Sequence, residues 1–212
     1  MAQLSVADGA KLRILDAAAT AFHEQGFAQT TIDDIAARLG ATKGLIYYHY
    51  RSKFDIFLAV YEFGMTSVRT RVEPFADEPG TGFARLTAMT RAHAFYLLRH
   101  IAYHNTIRQG VHHRSTIALK PKQVDALGAL NDLRDDFEAM FHRVIVDGIA
   151  DGTIRDEDPG LLTRTLLSSV SAIDQWFRPR DDQTDDDLTA LSGRIATIIL
   201  GGLSAETTPT DL

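Results

Sequence analysis

The run of sequence from residue 41 to residue 53 combines cations, hydroxyl groups and aromatic rings without a single acidic residue. Its cations are Lys43, Arg51 and Lys53, and His49 lies between them. Such groups donate hydrogen bonds to phosphate oxygens and to base edges, so this composition suits contact with a nucleic acid. The chain as a whole has a formal net charge of −6, which on its own disfavours that partner. The acids collect elsewhere, however, notably at Asp181, Asp182, Asp185, Asp186 and Asp187.

Individual positions in and near this run predict two kinds of contact. Lys43 can donate to guanine, Thr42 can reach a base edge or a phosphate, and Leu45 offers an apolar contact to a thymine methyl group. Gly44 has no side chain, so a partner's backbone could approach it closely. Thr31 begins a helix, and helix N-termini attract phosphates. Further donors expected to hold phosphates without reading sequence are Tyr47, Tyr48, His49 and Lys53.

The surrounding residues predict that these positions lie on two short helices joined by a tight turn. Thr31, with Asp34 three residues later, is typical of a capping box at a helix N-terminus, and Gly40 is placed to end that helix. Thr42 can cap a second helix that reaches about His49. This arrangement places a recognition helix in the major groove of DNA. The shape also occurs in proteins that bind no DNA, and aromatic clusters are more often core than contact surface.

The segment from residue 22 to residue 58 resembles the N-terminal domain of the TetR family of transcriptional regulators. The family pattern begins with a helix ending F-x-x-x-G-F and continues with T-[TS]-[IV]-x-x-I-A, then G-[VA]-[ST]-x-G, and finally Y-x-[HY]-[FY]-x-[SN]-K. The matching residues are Phe22, Gly26, Phe27, Thr30, Thr31, Ile32, Ile35, Ala36, Gly40, Ala41, Thr42, Gly44, Ile46, Tyr47, His49, Tyr50, Ser52 and Lys53.

The resemblance implies a repressor that binds double-stranded palindromic operator DNA as a homodimer and is released by a small-molecule effector. Tyr50 replaces the usual Phe of the pattern, and we expect it to pack inward. The resemblance also implies that phosphates are held by Tyr47, His49 and Lys53, and that bases are faced by Thr42, Lys43 and Leu45.

Composition predicts an all-α fold of about nine helices. No stretch alternates as a strand would, and apolar residues recur at helical spacing. We expect a three-helix helix-turn-helix domain at residues 1–54, and a larger helical bundle for ligand binding and dimerisation at residues 55–212. The helix that follows Ser52 is expected to end at Pro74.

Several protein classes are disfavoured by what the sequence lacks. There is no Cys, which excludes a disulfide framework. No N-terminal signal peptide is recognisable, and no apolar run approaches the ~20 residues that span a bilayer. We therefore expect a soluble, cytoplasmic protein without a membrane partner.

Two sets of apolar residues in the larger domain are candidates for further sites. Each could instead be ordinary core, because the same helical spacing serves both purposes. The candidate lining of an effector pocket is Phe83, Leu86, Met89, Phe95, Tyr96, Tyr103, Phe137, Met140 and Phe141. The candidate dimer interface, a four-helix contact, is Leu162, Leu166, Val170, Ile173, Trp176, Leu191, Ile195 and Ile199.

Two short C-terminal motifs resemble TetR-type repressors of fatty-acid and steroid catabolism. They are QWFRP at residues 175–179 and ILGGL at residues 199–203. Members of that branch sense acyl-CoA thioesters, so the resemblance implies an acyl-CoA or another hydrophobic metabolite as effector. The arginines that could then hold CoA phosphates, each of which could equally be a solvated surface charge, are Arg108, Arg114, Arg164 and Arg178.

An enzyme and a helical adaptor that binds only protein are the alternatives to a regulator. The chain has no nucleophile elbow, phosphate-cradling glycine loop or HExxH motif. His93, His100 and His104 are spaced to share one helix face, with His112 and His113 nearby. A metal site there would lack carboxylate and thiolate ligands, so partly exposed or pocket-lining histidines are the preferred interpretation. We predict no catalytic residue, metal or cofactor.

Overall fold

A computed structural model describes residues 6–112, 120–201 and 203, with side chains described for residues 9–108, 120–201 and 203. Every regular element in these ranges is a helix, which confirms the predicted all-α class. Nine of the helices have seven residues or more, and α9 has four. They are α1 (Val6–Gln25), α2 (Ile32–Leu39), α3 (Lys43–His49), α4 (Lys53–Ala76), α5 (Gly82–Arg99), α6 (Ile101–His112), α7 (Pro121–Ala150), α8 (Pro159–Ser171), α9 (Ile173–Trp176) and α10 (Asp185–Leu200).

The chain divides into two compact units. The first comprises Met1–Thr66 and Ala102–Asp132, and the second comprises Ser67–Ile101 and Leu133–Leu212. This division does not coincide with the boundary predicted at residue 54, because α4 and α7 each contribute residues to both units. Among the described residues, no helix is both long and apolar enough to cross a membrane.

An aromatic cluster forms the core of the first unit. Phe22 near the end of α1 contacts Phe27 in the following turn, with 5.4 Å between the ring centroids. Phe27 in turn packs against Phe54 and Phe57 of α4, at 6.1 and 5.0 Å. Such pairs add about 0.5–1.5 kcal/mol each beyond the area that they bury. The cluster therefore fastens the turn between α1 and α2 to the first turns of α4.

In the second unit, α5 and α7 approach each other backbone to backbone. A Cβ atom built on Gly82 would lie 2.2 Å from the Cα atom of Gly148 and 2.3 Å from its amide nitrogen. Real side chains do not tolerate such a distance, so this crossing requires glycine at residue 82.

The N-terminus of α5 is capped by residues that follow α7. The amide of Gly82 donates to the carboxylate of Asp151 at 2.7 Å, and the amide of Phe83 donates to the hydroxyl of Thr153 at 3.2 Å. The hydroxyl of Thr81 accepts the next amide of the helix. These bonds satisfy three of the four amides that a helix leaves unpaired at its start.

Two sequence-based expectations about helix ends are wrong. Pro74 does not end α4, which continues to Ala76. A proline in the last turn costs one internal hydrogen bond, and the last turn is held because Ala76 is fully buried and its carbonyl accepts from Arg85 at 2.9 Å. The second error concerns His100, which adopts φ −127° and ψ 42° and separates α5 from α6. His93, His100 and His104 therefore do not share one continuous helix face.

Candidate nucleic-acid interface

The first helix of the helix-turn-helix, α2, begins with the predicted capping box. The amide of Asp34 donates to the Thr31 hydroxyl at 3.2 Å, and the Asp34 carboxylate accepts from the Thr31 amide and hydroxyl, both at 2.7 Å. These bonds from Thr31 lower the pKa of the Asp34 carboxyl below its ordinary value. Gly40, at φ 65°, then ends the helix. The capping box and the stop are both confirmed, and Thr31 donates its amide and its hydroxyl to Asp34.

The second helix, α3, buries one residue and exposes most of the others. Ile46 is fully buried and anchors the helix in the first unit. Tyr48 is 83% exposed, Tyr47 is half exposed and Leu45 is on the surface. Thr42 is at the N-cap position, but its hydroxyl makes no capping hydrogen bond. The remaining surface residues of this segment are Lys43 and Gly44, with His49 half-buried.

Lys43 has an acidic neighbour that the sequence analysis did not foresee. Its ammonium lies 2.6 Å from the Asp33 carboxylate, across the turn that joins α2 to α3. Both side chains are largely exposed, so this ion pair adds at most about 1 kcal/mol to stability. Lys43 can therefore exchange Asp33 for another anion at low cost.

Lys53 also has partners that no sequence signal indicated. Its ammonium donates to the main-chain carbonyls of Phe27, Ala28 and Thr30, at 2.6, 3.2 and 2.6 Å. It also lies 4.5 Å from the centre of the Phe27 ring. Burial lowers the pKa of the Lys53 ammonium, and the Asp34 carboxylate partly offsets this effect. Lys53 thus binds the turn between α1 and α2.

Tyr50, the residue that departs from the family pattern, ends α3. It is half-buried with an extended backbone at φ −134°, and its amide donates to the carbonyl of Ile46 at 2.9 Å. Burial raises the pKa of its phenol, and the Glu62 carboxylate raises it further.

The residues expected to line an effector pocket fall in both units. Tyr103 belongs to the first unit, where its hydroxyl donates to Asp16 at 2.6 Å. Phe95 borders a groove of about 250 Å³ in the second unit, together with Arg71 and Phe75. In the second unit Leu86, Met89, Tyr96, Phe137 and Phe141 are buried, whereas Phe83 and Met140 are half-buried.

The residues predicted for the dimer interface differ in how far a single chain exposes them. Five of the eight are buried within the chain. Trp176, by contrast, is 54% exposed, and Leu191 and Ile199 are partly exposed. Two large apolar residues that were not among the eight are exposed in the same region of the sequence, namely Leu161 at 50% and Ile198 at 77%. The five buried residues are Leu162, Leu166, Val170, Ile173 and Ile195.

The described histidines and arginines that were singled out above do not all lie on one helix. His93 is buried and packs edge-on against Phe137 at 5.1 Å, and within the described ranges no group of three or more His, Cys, Asp or Glu could hold a metal ion. Arg178 donates to the carbonyls of Phe177 and Gln175, at 2.8 and 3.3 Å, whereas Arg164 is exposed. His113, Arg114 and the side chain of His112 lie outside the description.

Comparison with known proteins identifies the family along most of the chain. Residues 14–60 match the family model described as bacterial regulatory proteins, tetR family. Residues 79–203 match the model described as tetracyclin repressor-like, C-terminal domain, which is more than half of the chain.

Relatives match over nearly the full length. The chain is 22% identical over 197 residues to the fatty acid metabolism regulator protein of Bacillus subtilis, covering 91% of this chain and 94% of that protein. It is 26% identical over 204 residues to the HTH-type transcriptional repressor KstR2 of Rhodococcus jostii, covering 93% and 92%. The solved structure of AibR in complex with isovaleryl coenzyme A and operator DNA shares the fold, with a TM-score of 0.72, 22% identity and coverage of 92% and 98%.

These matches agree with the capping box, the tight turn at Gly40 and the exposed short helix described above. The family consists of DNA-binding regulators, so the enzymatic alternative no longer applies. The chain belongs to the TetR family of bacterial transcriptional regulators.

Proposed function

We propose that this regulator is a repressor that binds palindromic operator DNA as a homodimer and releases it when an acyl-CoA thioester or a similar hydrophobic metabolite binds. The exposed face of α3 is the observation on which the proposal depends. Ile46 is the buried residue of α3 and keeps the helix packed on the first unit. The hydrogen-bond donors on the exposed side of the helix can therefore enter a major groove while the domain stays folded.

Within that face we assign base contacts to Thr42, Lys43 and Leu45, and phosphate contacts to Tyr47, Tyr48 and His49. Lys53, at the start of α4, is the further cation that the family resemblance assigns to a phosphate. The Thr42 hydroxyl is unused by the cap, and Lys43 holds only the exposed Asp33 carboxylate. Gly44 leaves open space, since a Cβ built there would meet nothing closer than 3.6 Å. The amide and the hydroxyl of Thr31 both donate to Asp34. We therefore assign the phosphate contact at this position to the N-terminus of α2 and not to the Thr31 donors.

The dimer is supported by apolar side chains exposed near the C-terminus. A contiguous exposed apolar patch is typical of a surface that a partner covers, and we propose that three exposed side chains form one. Leu161 and Ile198, with the exposed Trp176, come from α8, α10 and α9. A two-fold dimer also matches the two half-sites of a palindromic operator.

The proposed effector follows from the relatives. One of them is named for the regulation of fatty acid metabolism, and AibR, which shares the fold, was crystallised in complex with isovaleryl coenzyme A and operator DNA. These names support an acyl-CoA as the class of ligand, whereas release of DNA on binding is what the family resemblance implies. The effector must bind the two conformations of the repressor unequally in order to shift the population away from the DNA-binding one. We propose that such a shift passes through α4, which follows the helix-turn-helix directly and, like α7, carries residues of both units.

Two assays test the proposal. Gel retardation with the DNA upstream of the chain's own gene should show a shifted complex, and a scrambled duplex of equal length is the control. A thermal-shift screen with acyl-CoAs of increasing chain length, against free CoA and free fatty acids, should identify a stabilising ligand, because a ligand that binds the folded state raises its stability. That ligand should then dissociate the DNA complex. If no fragment is retarded, the repressor assignment fails; if DNA binds but no acyl-CoA acts, only the effector assignment fails.

A further inference from the structure

A groove on the surface of the second unit combines arginines with aromatic side chains. Its narrower part, of about 250 Å³, lies between α4, α5 and α10 and is bordered by Arg71 and Phe95. Its wider part, of about 690 Å³, lies between α5 and α10 and is bordered by Arg194. Arg91 and Thr189 border both parts. A single ligand could therefore contact the narrower and the wider part at once.

The arginines of this groove have no acidic partner. Elsewhere in the second unit Arg85 is paired with Asp147 at 3.0 Å, and other arginines have similar ion pairs. Among the described residues that border the groove, Asp186 is the one acid. The arginines that form no ion pair with any described residue are Arg71, Arg91 and Arg194. The groove therefore carries an excess of positive charge, which attracts anions.

Two of these arginines are positioned by the walls of the groove. The guanidinium of Arg71 lies over the ring of Phe95, 5.2 Å from its centroid, in a cation–π interaction. The guanidinium of Arg91 lies along α10, where a Cβ atom built on Gly193 would be 3.8 Å from its Nε atom. Neither guanidinium donates a hydrogen bond to a described residue. Their N–H groups are therefore available to a ligand.

The narrower part of the groove offers a wall for a flat apolar group. Phe75 and Phe95 are half-buried there, with Ala88 and Ala92 of α5 between the larger side chains. A ring can pack against such a wall with offset or edge-on geometry. The guanidinium of Arg71, which is also planar, can stack on the same ring.

The wider part offers acceptors beside its arginines. The hydroxyls of Thr87, Thr189 and Thr197 each donate to a carbonyl of their own helix, so their oxygens remain able to accept from a sugar hydroxyl. Arginine forks match the geometry of phosphate oxygens, and several arginines suit a ligand with more than one negative charge. The groove thus fits a ring, a sugar and a chain of phosphates.

We propose that this groove binds a nucleoside diphosphate, with the phosphates at Arg91 and Arg194 and the base beside Phe95. The site differs from the candidate effector pocket, with which it shares Phe95 alone. The residues of the narrower part include none that we assign to the dimer, whereas Ile198 of the proposed subunit contact borders the wider part. The proposal goes beyond the proposed function and does not depend on DNA binding.

Calorimetric titration with ADP tests the site, at about 50 mM salt so that charges are little screened. The unmodified protein should bind ADP with a Kd below about 1 mM, and Arg91→Met should weaken binding on the order of 10-fold because a charge-assisted contact is lost. Adenosine and inorganic pyrophosphate should each bind more weakly than ADP, since each keeps only some of the contacts. Arg91 is exposed, so its replacement should leave the melting temperature within about 2 °C.

Two control variants separate this groove from other cations. Arg155→Met removes an exposed arginine of the second unit that does not border the groove, and Lys43→Met removes a cation of α3. Both should bind ADP as the unmodified protein does. Absence of ADP binding, or an equal loss in Arg91→Met and in either control, would overturn the proposal.

Arginine footprinting covers the case in which Arg91→Met does not fold. With phenylglyoxal and the unmodified protein, ADP should slow the modification of Arg91 and Arg194 but not of Arg155, as mass spectrometry would show. Lack of protection at Arg91 would contradict the site. Free CoA contains the same adenine nucleotide diphosphate, so displacement of ADP by CoA would identify CoA, and not a free nucleotide, as the source of the ligand. Failure of the gel retardation assay would leave these results unaffected.

Discussion

At the scale of single residues, Asp33 controls how freely Lys43 can engage DNA. The two charges are 2.6 Å apart on the surface, and Asp33 would also repel nearby phosphates. The sequence analysis identified Lys43 as a base-reading candidate from its type and position. It did not identify Asp33 as its partner, because the contact depends on how the turn after Gly40 directs α3.

The Asp33→Asn variant should bind DNA more tightly than the unmodified protein. Removal of the acid frees Lys43 and relieves repulsion, so affinity for a generic duplex should rise about 3- to 10-fold at 50 mM salt and by less at 300 mM, where charges are screened. Titration monitored by fluorescence anisotropy measures both. Asp125→Asn removes the same charge from an exposed position on α7 and should change little. Unchanged or weaker binding of Asp33→Asn would argue against a DNA contact by Lys43.

At the scale of elements, helix starts that depend on neighbouring residues could be predicted from the sequence. Helix ends that are held by residues far away in the sequence could not. The capping box of α2, which was predicted, lies within four consecutive residues, so the sequence contains the whole motif. The same motif begins α10 at Thr184 and Asp187, where the sequence analysis did not identify it. The cap of α5 joins Gly82 to Asp151, 69 residues away, and no local pattern reveals it. The prediction that α4 ends at Pro74 was wrong for a similar reason, because the hydrogen bond from Arg85 that holds the end of α4 depends on tertiary packing.

Substitution of Gly82 should be strongly destabilising. A methyl group there would clash with the backbone of Gly148, so Gly82→Ala should lower the free energy of unfolding by about 2 kcal/mol or more. Urea denaturation followed by circular dichroism measures it. Gly128→Ala on α7 is the control, because a Cβ there meets nothing within 4 Å and alanine favours a helix by about 0.5–1 kcal/mol. Equal effects of the two variants would show that α5 and α7 do not approach this closely.

The cap of α5 should make stability depend on pH. Hydrogen bonds from Thr153 and Gly82 lower the pKa of the Asp151 carboxyl in the folded protein. A lowered folded pKa means that the carboxylate contributes stability above its unfolded pKa of about 3.9, and that this contribution is lost as the pH falls through the folded value. Asp151→Asn should therefore melt below the unmodified protein at pH 7, with a difference that shrinks below about pH 4. A constant difference across this range would contradict the assignment, and Asp156→Asn, an exposed neighbour, serves as the control.

At the scale of the whole molecule, the fold class could be predicted from the sequence but the surfaces of the second unit could not. Helical spacing of apolar residues in α8 and α10 correctly indicated helices with a buried face. It did not indicate what covers that face, and residues such as Leu166 and Val170 are covered by the chain itself. Residues one position away, such as Leu161 beside Leu162, are exposed instead.

Oligomeric state should respond to the exposed apolar residues. Ile198→Asp places a charge where the proposed dimer would bury an apolar side chain, so sedimentation velocity should report a monomer at concentrations where the unmodified protein is a dimer. Affinity for the upstream fragment should then fall at least about 10-fold, because one half-site is lost. Val146→Asp, on the exposed face of α7, should remain dimeric. A dimer of Ile198→Asp would place the subunit contact elsewhere.

The hydrogen bond from the Lys53 ammonium to the carbonyl of Thr30 joins the two ends of the segment that contains α2 and α3. The ends of this segment are held by the Lys53 ammonium and main-chain carbonyls, and Ile46 anchors α3 within it, so the exposed side chains of Leu45 and Tyr47 are not among its main supports. Lys43 contributes only its exposed ion pair with Asp33. Substitutions at Lys43, Leu45 and Tyr47 should therefore change which DNA sequences are bound without unfolding the helix-turn-helix. A library randomised at those three positions should retain folded protein in most members while its preferred DNA sequences diverge.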